Sequence, residues 1–140
     1  PSAEETEAAL QALLGEVMDR QERKNDTEDA ALMEQVRDYI QVNLADPSLA
    51  LYNLAQEFRM PESTLYKFIR SESGMTFTAL LEKMRMKHAV GLLISTDFTI
   101  DEIASLSGYN SAHAFRRVFK KVFGMLPTEY RDSTIGHDGE

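Results

Sequence analysis

The sequence has 140 residues, 43% of them hydrophobic and 27% charged, with a formal net charge of −8 and no cysteine. That length holds one domain with extensions, or two very small domains, and the composition can fill a globular core. It excludes disulfides, thiolate chemistry and cysteine-ligated zinc, and no apolar run is long enough to span a bilayer or serve as a signal peptide. The absence of cysteine fits a reducing cytoplasm, and an opening Pro1 in place of Met suggests a piece of a longer chain.

The charge is unevenly spread. Residues 1–28 hold eight acidic and three basic residues, a net of −5, and residues 132–140 add −3. Residues 29–131 hold twelve of each sign and are neutral. The acid therefore sits in two extensions, 1–28 as a helix and linker and 132–140 as a disordered tail. A nucleic-acid binder is usually basic over its domain, so the neutral central block counts against DNA binding and implies modest affinity at physiological salt.

In chain order, Leu10, Leu13, Leu14, Val17 and Met18 predict an amphipathic helix within 3–24, followed by a polar run through Asp26. It is too short to establish a sustained heptad. Leu32, Val36, Tyr39, Ile40 and Leu44 mark the next helix, which ends before Asp46-Pro47. A helix over about 49–58 carries Leu51, Leu54, Ala55 and Phe58, and Pro61 suits the first turn of another that ends at Gly74. A long helix over about 78–95 places Leu80, Leu81, Met84, His88, Leu92 and Leu93 on one face. Thr99-Ile-Asp-Glu102 reads as a capping box opening a short helix that ends at Gly108. No stretch alternates like a strand, so the class is all-α, with about seven helices.

The last predicted helix covers 111–123 and stops at Gly124, and its stretch 113–124, HAFRRVFKKVFG, puts four cations within six residues of an acidic chain. Phe115, Val118, Phe119, Val122 and Phe123 form one helical stripe, so the aromatics are core rather than a surface for stacking bases. His113, Arg116, Arg117, Lys120 and Lys121 fall on the remaining surface. That face is either simply solvated or meant for a polyanion, and the segment alone leaves both readings open.

Self-similarity narrows the choice. Leu51, Leu54-Ala55, Leu65, Ile69 and Gly74-Met75 recur as Ile100, Ile103-Ala104, Phe115, Phe119 and Gly124-Met125. The offset is 49 residues in the first helix of each pair and 50 in the second. Short helix, tight turn and longer helix is the layout of a helix-turn-helix unit, and two tandem copies say far more than one. The units cover about 29–76 and 98–131, with the long helix between them. A connecting helix of about 18 residues spans roughly 27 Å. With the bodies it joins, that length would set two recognition helices near the ~34 Å separation of successive major grooves.

Residues 29–131 resemble the DNA-binding domain of AraC/XylS-type bacterial transcription regulators over nearly its whole length. The resemblance is carried by Ile103-Ala104, Gly108-Tyr109, Phe115, Arg117 to Lys120, Gly124, Pro127 and Tyr130-Arg131, with Arg85 to Ala89 and Leu92-Leu93 like the connecting helix. It implies a regulator, an activator more than a repressor, acting on double-stranded DNA with RNA polymerase as protein partner, in the cytoplasm at the nucleoid. The missing upstream part would be a ligand sensor, a membrane-linked sensor or a phosphorylation receiver. Carried across, the base-facing residues are Ser63, Tyr66 and Lys67 in the first unit and Ala112, His113, Arg116 and Arg117 in the second. Arg70, Lys120 and Lys121 suit phosphates, and Arg116 suits guanine because a guanidinium can pair with O6 and N7. The chain departs from the family at Arg59 (usually a turn glycine), Pro61 (usually a capping Ser), Tyr109 (usually Phe) and Leu126 (usually Thr). Glu62 and Glu72 weaken the first unit's electrostatics.

Three histidines, His88, His113 and His137, lack metal-ligand spacing, and no catalytic arrangement or phosphate loop is present. No catalytic residue, metal or cofactor is expected, and this stretch offers no membrane contact. Arg85 is expected to pair with a carboxylate. The rival reading is a helical protein-interaction module that has lost DNA binding, favoured by the neutral block and Arg59.

Overall fold

The structure, a computed structural model, describes residues 26–138. By contacts the chain forms two compact units, Pro1–Val36 and Arg37–Glu140. In the first, residues 26–36 are helical. The helix expected within 3–24 lies outside the described residues. The other, Arg37–Glu140, holds both helix-turn-helix repeats, and 'first unit' and 'second unit' hereafter mean these repeats. Arg37–Glu140 runs α1 (37–43), α2 (Leu51–Phe58), α3 (Glu62–Ser73), α4 (Phe77–Ser95), α5 (Ile100–Leu106), α6 (Ala112–Phe123) and α7 (Pro127–Asp138). No strand occurs among the described residues. The arrangement is the expected one: helix-turn-helix α2–α3, helix-turn-helix α5–α6, and α4 between them at about 28 Å for its 19 residues.

Local chemistry sets the helix starts. Thr76, Thr99 and Ser111 accept hydrogen bonds through their hydroxyls from the amides of Ala79, Glu102 and Ala114 at 3.1–3.2 Å. Each satisfies a donor that the first turn leaves unpaired, a contribution of about 1 kcal/mol. Asn53 Oδ1 takes the amide of Ala50 at 2.8 Å. Pro61 stands as the N-cap of α3 rather than within its first turn, with φ −60°. α7 runs on to Asp138, so residues 132–138 are helical where the acidic composition suggests a disordered tail. Ser133 and Thr134 bond back to the Tyr130 carbonyl at 2.9 and 3.0 Å, and no breaker intervenes before Gly136. Both hydroxyls are thus satisfied by the helix's own backbone, an arrangement that helices tolerate.

α4 carries two buried faces. Leu80 and Leu81 are buried near its start, and Met86, Ala89 and Leu93 further along. The latter three join Ile103, Ala104, Phe115 and Phe119 in the second unit's core. A single-stripe reading therefore finds Leu80, Leu81 and Leu93 but misses Met86 and Ala89. His88 and Met84, placed on that stripe by spacing, are only half-buried. Leu54, Leu65 and Ile69 are fully buried in the first unit. The second unit's core is aromatic: Phe119 lies 5.7 Å from Phe115, 4.5 Å from Phe123 and 5.7 Å from Tyr130, centroid to centroid, in tilted or edge-on pairs. Val122, assigned to the same stripe, is exposed at its edge.

Two arginines close helix ends. Arg131 of α7 donates to the carbonyls of Leu93 (3.1 Å), Thr96 (3.2 Å) and Phe98 (2.7 Å), satisfying acceptors at the end of α4. Arg85 of α4 does the same beyond α1, donating Nε to Leu44 O at 3.0 Å and Nη2 to Asp46 O at 2.7 Å. Its partners are thus backbone carbonyls, not the carboxylate expected from sequence. The Asp46 carboxylate is held by Ser48, whose amide and hydroxyl donate to it at 2.9 and 2.7 Å and keep its pKa low. The guanidinium also lies 5.8 Å from the centroid of Tyr109.

The two turns solve one problem differently. The repeat aligns Arg59 with Gly108, and both adopt left-handed backbone, φ 53° and 89°. A side chain at Gly108 would overlap the Leu44 carbonyl and come within 2.5 Å of Arg85 Nε. Arg59 is exposed, so the first turn keeps its geometry with a non-glycine residue at the expense of backbone strain. Next to Gly108, the Ser107 hydroxyl is buried without a partner among the described residues.

Three measurements follow from this packing. Phe119→Ala should destabilise the protein by roughly 3–5 kcal/mol in denaturant unfolding, since the ring is fully buried among aromatics. Arg59→Gly should raise stability by about 1 kcal/mol, and an unchanged unfolding midpoint would show that φ 53° is not strained. Burial pushes the Tyr109 phenol up to about 12, opposed by the neighbouring Arg85 charge. A raised folded-state pKa favours the neutral phenol, so this stabilisation is intact below pH 10 and is lost as pH rises towards 12. Denaturant midpoints compared across that window should fall less steeply for Tyr109→Phe than for the parent.

Candidate nucleic-acid interface

α3 and α6 each bury one edge and expose the other. On α3, Leu65 and Ile69 are buried while Ser63, Tyr66, Lys67 and Arg70 are exposed. On α6, Phe115 and Phe119 are buried while His113, Arg116, Arg117, Lys120 and Lys121 are exposed. The structure thus brings the sequence-predicted residues onto the outer faces of the second helix of each unit. Ala112 differs: it is half-buried and packs against the second unit's core, because it begins the helix beside the turn.

The two faces differ in charge. α3 balances Lys67 and Arg70 against Glu62 and Glu72, and α6 carries Arg116, Arg117, Lys120 and Lys121 with no acid. Lys121 is partly engaged, its Nζ 3.1 Å from Glu82 Oε2 on α4. An exposed pair of this kind is worth about 1 kcal/mol or less, so a phosphate can displace it. Spacing within α6 gives no sign of Glu82, which lies 39 residues away in sequence. The α6 start is fixed by the Ser111 cap, whereas α3 starts at Pro61 without a side-chain acceptor.

Among the described residues no group of His, Asp and Glu could hold a metal ion, and no helix is long and apolar enough to cross a membrane. An apolar hollow of about 340 Å³ lies between α4 and α6, lined by Lys83, Met86, Lys87, Val90, Val122 and Phe123.

Known proteins share this arrangement. A family described as a helix-turn-helix domain matches residues 54–133. The xylose operon regulatory protein of Escherichia coli (strain K12) is 41% identical over 70 residues, which is 50% of this chain and 18% of that protein's length. The C-terminal domain of AraT, a response regulator from Geobacillus stearothermophilus, superposes with a TM-score of 0.69 at 37% identity, covering 71% of this chain and 83% of that one. The DNA-binding domain of the global transcriptional factor AdpA, solved with a target DNA, superposes with a TM-score of 0.71 at 25% identity, over 76% of this chain and 96% of that one. Paired helix-turn-helix units on a shared helix, with the matched family covering more than half the chain, lead to one conclusion. The chain belongs to the AraC/XylS family of transcription regulators, and its tandem helix-turn-helix domain is their DNA-binding domain.

Proposed function

We propose that residues 29–131 bind double-stranded DNA sequence-specifically by inserting α3 and α6 into adjacent major grooves on one face of the duplex. The observation that carries this reading is the repetition of one exposed helix face in two units on a single rod, cationic on α6. Tyr66, Lys67 and Ser63 would read bases in one groove, and Arg116, Arg117, His113 and Ala112 in the other. Arg70, Lys120 and Lys121 would hold phosphates, which position the domain without reading sequence. The neutral face of α3 makes the second unit the larger source of phosphate affinity.

The full regulator works in this reading as an activator that engages RNA polymerase, in the cytoplasm at the nucleoid. A sensor or receiver in the same chain controls it. The likeness to a response-regulator C-terminal domain and to a sugar-operon regulator supports such an upstream partner.

Selection of bound sequences from a random duplex library, followed by a salt titration on the winner, tests the reading. Two enriched blocks one helical turn apart, with log K falling steeply against log salt, are expected. One block would leave a single reading unit, and no enrichment at low salt would favour the protein-interaction module instead. On the selected site, Arg116→Ala should cost roughly 1–3 kcal/mol and relax one base position, while Lys120→Ala should weaken all sequences alike and lower the salt slope by about 1. Unchanged base preference in Arg116→Ala would remove that residue from the reading set.

A further inference from the structure

The second unit's turn does not stop at its own core. Gly108 backs onto the carbonyl of Leu44, at the end of α1 in the first unit, with no room for a side chain between them. That same carbonyl accepts Arg85 Nε at 3.0 Å, and the other end of the guanidinium holds Asp46 O at 2.7 Å. The guanidinium lies 5.8 Å from the Tyr109 ring centroid, and Tyr109 packs on Phe115 of α6 at 5.5 Å. One half-buried side chain on the shared helix thus touches the first unit's α1 end and the second unit's turn at once. Arg131, by contrast, ties α7 to the end of α4 and joins nothing across the two units.

We infer that Arg85, with Gly108 and Tyr109, is a clasp that fixes the rotation and distance between α3 and α6, and thereby sets the spacing of the two DNA blocks the domain accepts. A helix as long as α4 positions the units along its axis but leaves the second turn free to rock against the first unit. Two hydrogen bonds and a close backbone contact at the junction remove that freedom. The role in spacing rests on the two-groove reading, and the hold on orientation does not. One inserted base pair would shift a block by about 3.4 Å and turn it by about a tenth of a revolution, which a clasped pair of helices cannot follow.

The chain has no cysteine, so spin labels can be placed uniquely at Ser71→Cys on α3 and Lys120→Cys on α6, both exposed. The label-to-label distance distribution of the DNA-free 140-residue chain should be narrow. It should broaden in Arg85→Ala and in Arg85→Met, which keeps the apolar stem and drops both donors. Arg131→Met, which removes hydrogen bonds within one unit, should leave it narrow. Where Arg85→Ala fails to fold, Arg85→Met carries the comparison. A distribution as narrow in the folded Arg85 variant as in the parent overturns the clasp, whatever DNA is bound.

Binding to selected blocks at their native spacing, and with one base pair added or removed, tests the consequence for recognition. The parent should discriminate against the altered spacings by about tenfold or more, and Arg85→Met by about twofold, with affinity for either block alone unchanged. Broadened distances together with unaltered spacing discrimination overturn the clasp's role in recognition. A parent that binds all spacings equally overturns the two-groove reading and the spacing role with it.

Discussion

The rest of this structure depends on one helix being buried from two sides. An ordinary surface helix buries a single stripe and gives its other face to water. α4 buries Leu80 and Leu81 near its start and Met86, Ala89 and Leu93 beyond them, and the last three belong to the second unit's core. Ala89 is fully buried and small, which lets the neighbouring helices approach. The second unit's core is incomplete without this helix, and α3 of the first unit packs on it as well. Any rotation of α4 about its axis would move apolar groups into water on both sides.

On this shared rod the two units are built to different standards. The second has the capped recognition helix, the aromatic core, the glycine turn and four cations with no acid on the same helix. The first has an aliphatic core at Leu54, Leu65 and Ile69, a helix opened by proline, an arginine turn, and equal numbers of acids and bases on α3. Counterion release scales with the number of phosphates neutralised, so in the proposed binding mode such a division would give most of the non-specific affinity to α6. α3 would then contribute through hydrogen bonding and shape. A neutral domain can bind a polyanion when its cations are gathered on one face in this way.

Much of this was readable from the sequence, and the limits have a common cause. The tandem repeat exposed both units and the shared helix, because each copy repeats the same local chemistry of cap, apolar pair and terminal glycine. Helical spacing found Phe115, Phe119, Leu65 and Ile69, and with them the outward faces of α3 and α6. Spacing failed where a residue answers to a partner far along the chain. Met86 and Ala89 are buried by α5 and α6, which no stripe calculation within α4 contains. Arg85 finds its carbonyls 41 and 39 residues away, and Lys121 finds Glu82 39 residues away. Charge alone suggested a carboxylate for Arg85, but the unpaired acceptors beyond a helix end were nearer. Acidic composition likewise suggested disorder after Asp132, where α7 runs on to Asp138.

The contrast between Arg59 and Gly108 bears on how such a domain can change over time. At Gly108 every alternative side chain meets a carbonyl from the other unit, so that turn is closed to substitution. At Arg59 the same backbone conformation faces open solvent, and any residue that tolerates left-handed geometry can occupy it. The first turn can therefore take a change of residue that the second cannot, and the difference comes down to steric room at a single Cα.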